Sequence, residues 1–195
     1  MKYTKAGMLD YIKNNLPSIN VLPVMIVKSK DFQENEQRTI EAVMQFAGKD
    51  SLAVRSSSSE EDTIEYSNAG KFESFLNVPS DYKAIKKAIE KVYQSYCTKL
   101  DEEILIQPML RNIKKSGVVF TSDINTFADY YTVNFYEGDD SSAVTSGSSI
   151  VLKTFVKYKY SEFPVKDPDM DKLIHECTKI ENFLKQFETA RNPLN

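Results

Sequence analysis

Apolar residues recur at helical spacing in four stretches of this chain, and each stretch is bounded by residues that start or end helices. The third stretch has the strongest separation of faces, with isoleucine and tyrosine on one side and a row of lysines on the other. We interpret that lysine row as a solvated surface. The predicted helices are residues 5–15, 34–46, 81–98 and 169–187, with Thr4, Gly48 and Ser80 as caps.

Between these helices, short runs rich in β-branched and aromatic residues alternate with turn-forming residues. Pro23 interrupts the first run, which favours an edge strand or a strand that begins at Val24. The later strands follow one another closely and predict an antiparallel or mixed sheet. Helices grouped with such a sheet indicate the α+β class. The predicted strands are residues 21–27 or, with a start at Val24, 24–27, then the end of a buried strand at 52–54, and 104–110, 117–121, 130–136 and 150–158.

Composition limits the function classes. A chain of 195 residues with 41% apolar residues can bury a core, as one domain or two small lobes. Its net charge of −3 has interspersed signs, which argues against nucleic acid as the main partner. No apolar run of about 18 residues or signal peptide is evident, so we expect no membrane partner and a cytoplasmic location. Cys97 and Cys177 lack the spacing of a zinc site and are interpreted as core residues.

The segment of residues 52–78 combines an arginine, four consecutive serines and a glycine-containing turn between two apolar stretches. Arg55 is expected at the rim of the strand, where its planar guanidinium suits bidentate contact with phosphate oxygens. Hydroxyl and backbone N–H groups of residues 56–59 would then form an anion-binding loop. The same composition is also typical of an ordinary solvated loop.

Four motifs follow one another over about the first 150 residues. They are TKAGML from Thr4, VRSSSSEED followed by AGKFESFLNV from Val54, ILIQPML from Ile104 and SGVVFTSD from Ser116. In this order they resemble the ATP-binding domain of phosphoenolpyruvate synthase and pyruvate phosphate dikinase. The resemblance implies an ATP-grasp-like domain within an ATP-dependent phosphotransferase. It also implies a small-molecule acceptor that receives the phosphoryl group by way of a histidine on a separate domain.

The resemblance also assigns roles to individual residues. It implies that Lys5 reaches the nucleotide phosphates and that Arg55 holds the transferred phosphate, as the catalytic residue. Without the resemblance, Lys5 would be interpreted as an exposed lysine, and Gln107 either as a strand-edge glutamine or as a binding residue. The remaining nucleotide-binding residues that it implies are Ser56, Ser57 and Ser58 over the phosphates, and Gln107, Pro108 and Met109 around adenine.

Residues 130–149 depart from the dikinase pattern, because Glu137 and the three residues after it replace a glycine-rich acidic element. This departure resembles a branch found in capsule and lipopolysaccharide gene clusters, which includes an L-glutamine kinase. The branch implies a glutamine-like acceptor first and pyruvate second. From the residues alone, the acidic cluster is interpreted either as a metal site or as a solvated turn. Asp123 is interpreted either as a metal ligand or as the cap of a turn. His175, the chain's one histidine, is interpreted as a solvated helix residue.

We expect residues 1–78 to form an N-terminal lobe with the serine loop, and residues 79–195 to form a lobe of helix and mixed or antiparallel sheet. The resemblance implies that the strands that bind Mg²⁺ lie downstream of Asn195, with further domains beyond them. The isolated chain would then have little or no kinase activity. The alternative is a non-catalytic nucleotide-binding or regulatory protein that retains the fold, and a plain α+β scaffold for protein contacts is the third reading.

Overall fold

The computed structural model describes residues 4–58, 73–96, 102–138 and 152–191, with side chains described as far as residue 186. The chain divides into two compact units, Met1–Met109 and Leu110–Asn195. Helices and antiparallel sheets are both present, so the predicted α+β class is confirmed.

The described residues of the first unit form a four-stranded sheet and four helices. The strand order is β1-β4-β2-β3, and every neighbouring pair is antiparallel. Strand β1 is an edge strand, as Pro23 predicts. The elements are α1 (Lys5–Asn15), β1 (Met25–Lys28), α2 (Ser29–Glu34), α3 (Glu36–Ala47), β2 (Leu52–Ser57), β3 (Ser74–Val78), α4 (Tyr82–Ser95) and β4 (Glu103–Pro108).

The two faces of this sheet carry different residues because side chains alternate along each strand. One face packs on α3 and α4 and forms the main core, in which Leu52, Val54 and Ile106 are fully buried with Ile40 and Ile89. The opposite face presents the alternate residues of β2 and β4, paired in register, and α1 packs on it. These pairs are Ala53 with Gln107, Arg55 with Leu105, and Ser57 with Glu103.

In the second unit, the described residues form a three-stranded antiparallel sheet and a long helix. Its strands are β5 (Lys115–Phe120), β6 (Tyr130–Glu137) and β7 (Lys153–Tyr158), in the order β5-β6-β7, and its helix is α5 (Pro168–Arg191). A small core of Tyr131, Val133, Met170 and Ile174 joins the sheet to the helix. Gly117 is needed for close strand approach, because a Cβ atom there would lie 2.6 Å from the carbonyl oxygen of Asn134.

Several predicted boundaries differ from the structure. The division between the units lies at residue 109, not at residue 78, because β4 follows α4 in sequence but pairs between β1 and β2. Asp81 rather than Ser80 caps α4, since the Asp81 carboxylate accepts a hydrogen bond from Ala84 N at 2.9 Å. Helix α2 was not predicted, and the helix expected from residue 34 begins at Glu36. Thr4 and Gly48 are confirmed as helix caps.

None of the helices in the described ranges is long and apolar enough to cross a membrane.

Candidate functional site

A pocket of about 520 Å³ lies between α1 and the sheet of the first unit, on the face opposite the main core. It combines two cationic side chains, an apolar wall and several neutral polar groups. None of its described lining residues is a carboxylate, although the carboxylate of Glu103 is hydrogen-bonded to the lining residue Thr4. Its lining residues are Thr4, Lys5, Met8, Leu9, Arg55, Ser56, Ser74, Leu105 and Gln107.

Lys5 is placed at this pocket by the cap of helix α1. The Thr4 hydroxyl oxygen accepts a hydrogen bond from Gly7 N at 3.0 Å and donates to the carboxylate of Glu103 on β4. Lys5 is the first helical residue, and its side chain is exposed on the pocket side. A lysine at this end faces the positive end of the helix dipole, which does not favour it electrostatically. An anion in the pocket would remove that disadvantage.

Arg55 lies inside strand β2 rather than at its rim, because the strand continues to Ser57. Leu105 of β4 and Ser74 of β3 flank it in register. Arg55 is exposed, whereas the residues on either side of it in the strand are buried. Lys5 and Arg55 therefore bring two positive charges to one pocket from different elements, an arrangement suited to binding an anion.

The first two residues of the serine run belong to a strand and not to the predicted loop. Ser56 and Ser57 belong to β2 and are 6% and 0% exposed, and Ser58 is 3% exposed. Ser56 lines the pocket, whereas Ser57 accepts a hydrogen bond from Ala6 N at 2.8 Å. Ser58 donates to the carboxylate of Glu102 at 3.0 Å. Ser59 lies outside the described residues, so the end of the predicted loop is not described.

The predicted adenine-binding residues lie at the end of β4. Gln107 lines the pocket and pairs with Ala53 of β2. Pro108 pairs with Leu52, and Met109 N donates to the carbonyl oxygen of Ser51 at 2.8 Å. The described pocket lining includes neither Pro108 nor Met109.

Sequence reasoning did not identify the apolar wall of the pocket. Met8 and Leu9 have the spacing of an inward helix face, so the pattern places them in a core, and Leu105 has the pattern of a buried strand residue. Helical or strand spacing does not distinguish a residue that packs in a core from one that lines a pocket. Ser74 enters the site because β3 pairs beside Arg55, which no local pattern indicates.

Other candidate residues have structural roles in the described regions. Of the two roles considered for Asp123, the structure shows the turn cap, since its carboxylate accepts hydrogen bonds from Thr126 and from Asn125 N. These hydrogen bonds, of which those from Thr126 have the largest effect, lower the pKa of Asp123 below its ordinary value. Glu137 forms an ion pair with Lys153, and His175 is exposed on α5. Asp139 and Asp140 lie outside the described residues.

Comparison with known proteins adds one match. The family model for the pyruvate phosphate dikinase AMP/ATP-binding domain matches residues 8–103. That span contains Arg55 and most of the strands and helices of the first unit, while Lys5 and Gln107 lie just outside it. No curated protein matches the chain. The resemblance to the pyruvate phosphate dikinase domain is therefore confirmed over residues 8–103, a span that contains the VRSSSSEED motif.

Proposed function

We propose that the pocket beside α1 binds the phosphates of ATP, and that this chain is the nucleotide-binding part of a dikinase-type phosphotransferase. The match of residues 8–103 to an AMP/ATP-binding domain supports nucleotide binding. We choose this pocket because Lys5 and Arg55 both line it, and because none of its described lining residues carries a carboxylate. A cytoplasmic location is part of this proposal, because ATP is supplied there.

The two cations differ in what they offer a phosphate chain. The Arg55 guanidinium has a planar set of donors that can contact two phosphate oxygens at once. The Lys5 ammonium is a compact charge on a flexible stem. Phosphoryl transfer depends mainly on positioning and on neutralising charge at the phosphate oxygens. Arg55 would therefore hold the transferred group, while Lys5 would contact the neighbouring phosphates.

The base is proposed to lie toward Gln107, next to the apolar side chains of Met8, Leu9 and Leu105. Pro108 has no N–H group, and Met109 already donates its N–H to Ser51. Of these residues, only Gln107 lines the pocket, and its side-chain amide offers both a donor and an acceptor to the edge of the base.

In the proposed reaction the phosphoryl group leaves ATP for a histidine on a separate domain, with cleavage of a P–O bond and formation of a P–N bond. The group then passes to a small acceptor. A glutamine-like acceptor is our first proposal and pyruvate our second, because residues 137–140 depart from the dikinase pattern in the manner of the capsule-cluster branch.

Mg²⁺ enters this proposal only as the counter-ion of ATP. Within the described ranges there is no group of three or more histidine, cysteine, aspartate or glutamate side chains that could hold a metal ion. The described residues supply no such cluster, so we derive no step through the metal.

Calorimetric titration with MgATP tests the proposal, using the wild type and Arg55→Ala. We expect saturable binding that weakens at least tenfold in the variant, about 1.4 kcal/mol in binding free energy. Arg38→Ala is the matched control, because Arg38 is also an exposed arginine of the first unit but lines a different pocket. Equal affinities for wild type and Arg55→Ala would exclude this pocket, and absence of binding to the wild type would favour the scaffold reading.

A further inference from the structure

A buried hydrogen bond joins the helix that carries Lys5 to the strand that carries Arg55. The Ser57 hydroxyl oxygen accepts from Ala6 N at 2.8 Å, and both residues are 0% exposed. Ala6 directly follows Lys5 in the chain. Ser57 lies two residues after Arg55 and therefore on the same face of β2. The bond thus connects the immediate neighbourhoods of the two cations.

Further hydrogen bonds fix the strand side of this connection. Ser57 N donates to the Tyr96 hydroxyl at 3.1 Å, and the same hydroxyl donates to the carbonyl oxygen of Glu103. The Glu103 carboxylate in turn accepts from the Thr4 hydroxyl at the cap of α1. The first turn of α1 is therefore held at two points, through Thr4 and through Ala6.

These bonds also determine what α1 can offer an anion. The N–H of Ala6 is donated to Ser57, and the N–H of Gly7 is donated to Thr4. Helix N-termini often bind phosphate through such N–H groups, but here two of them are already used within the protein. In its first turn α1 therefore offers an anion mainly Lys5, and the position of Lys5 depends on how that turn is held.

We propose that Ser57 is a positioning residue, which holds the first turn of α1, and with it Lys5, beside the pocket that Arg55 lines, and does not contact the nucleotide itself. This inference rests on the proposed function. It replaces the role implied by the family resemblance, in which Ser57 belongs to a loop over the phosphates. Ser57 is fully buried and is not among the described residues that line the pocket.

The test compares Ser57→Ala with Ser29→Ala. Ser29 is a matched control, because it is also a 0% exposed serine of the first unit with one buried hydroxyl bond, which it donates to the carbonyl oxygen of Glu102 at 2.9 Å. MgATP affinity is measured by calorimetry at a temperature where circular dichroism shows both variants folded. We expect about tenfold weaker binding for Ser57→Ala and no change for Ser29→Ala.

A double-mutant cycle identifies the route of the effect. If Ser57 acts through Lys5, Ser57→Ala causes no further loss of affinity when Lys5→Ala is already present. An undiminished loss in that background, or equal effects of the two serine variants, would overturn the inference while leaving the proposed function intact. Absence of MgATP binding to the wild type would overturn both.

A second variant keeps the test decisive if Ser57→Ala does not fold. Ser57→Cys preserves the shape of the side chain, but sulfur is a weak hydrogen-bond acceptor. We expect it to weaken MgATP binding in the same direction as Ser57→Ala, by a smaller factor. A folded Ser57→Cys protein with wild-type affinity would contradict the role given to the Ala6–Ser57 bond.

Discussion

Tyr96 places one hydroxyl group between β2 and β4, where it accepts from Ser57 N and donates to the carbonyl oxygen of Glu103. The residue is 3% exposed, so neither backbone group has water as a ready substitute. Tyr96→Phe keeps the ring and removes both bonds. Because buried groups left without partners cost about 1–3 kcal/mol, we expect the free energy of unfolding of the first unit to fall by that amount in urea denaturation.

Tyr93→Phe is the control for this prediction. Tyr93 also lies on α4, but its hydroxyl accepts from Gln33 in an exposed contact. Water can replace that partner, so we expect a much smaller loss of stability. If the two variants lose the same stability, the buried position of the Tyr96 hydroxyl is not what makes it important.

At the residue scale, sequence reasoning found groups whose chemistry is local and missed groups whose role depends on distant partners. Lys5, Arg55 and Gln107 were identified from their motifs, and the structure places all three at one pocket. The role of Ser57 depends on Ala6, which is 51 residues away in the chain. A run of serines predicts a loop. Here the buried serines are accommodated because Ser57 and Ser58 form hydrogen bonds within the protein.

Helix α5 is joined to its sheet by a partly buried ionic cluster centred on Glu181. Burial raises the pKa of Glu181, but hydrogen bonds from Lys159, Lys185 and Tyr131 outweigh that effect and lower the pKa to about 2 from an ordinary value of 4.5. The Lys159 and Glu181 side chains are only 11% and 13% exposed. The cluster is therefore shielded from solvent more than an ordinary surface ion pair.

This cluster predicts acid sensitivity in the second unit. A carboxyl group with a lowered folded-state pKa stabilises the fold above its unfolded pKa, and that contribution is lost as pH falls through the folded pKa. For Glu181 the window runs from about pH 4.5 down to about pH 2. We expect a loss of as much as about 3 kcal/mol across it, at about 1.4 kcal/mol per unit. Hydrogen exchange of α5 amides, measured against pH, reports this loss.

Two variants separate Glu181 from the other carboxylates. Glu181→Gln should reduce the slope of α5 stability against pH over that window, while lowering stability at neutral pH because Lys159 loses its partner. Asp169→Asn is the control, since Asp169 is paired with Lys115 but its side chain is 73% exposed. We expect this variant to keep the wild-type slope almost unchanged. An unaltered slope in Glu181→Gln would show that other groups determine the acid response.

At the scale of elements, periodicity was a good guide to long helices and to strand positions. The predicted strands 104–110, 117–121 and 130–136 correspond to β4, β5 and β6 with small shifts at their ends. Helix α2 was missed because its six residues are too few to show a helical period. Ser80 and Asp81 are both suitable N-caps, and only Asp81 aligns with the N–H of Ala84, whereas Ser80 donates to Gly48 O.

At the scale of the whole chain, strand order could not be predicted from local pattern. Composition placed the internal boundary near residue 78, where the glycine- and serine-containing segment ends. The sheet of the first unit instead requires β4, which comes after α4 and pairs with both β1 and β2. Such long-range pairing is decided by the fit of buried faces, and sequence periodicity carries no information about which strands become neighbours.

The position of β4 leads to a prediction about fragments. The main core and the pocket beside α1 draw all their described residues from the first unit. A fragment of residues 1–109 should therefore unfold cooperatively and bind MgATP with an affinity within about threefold of that of the full chain.

A fragment of residues 1–78 lacks α4 and β4, and with them Ile85, Ile89, Ile104 and Ile106 of the core, so it should remain unfolded. Circular dichroism on heating and calorimetric titration of both fragments measure these outcomes. A fragment of residues 1–109 that folds but does not bind MgATP, beside a full chain that does, would mean that residues 110–195 supply a necessary part of the nucleotide site.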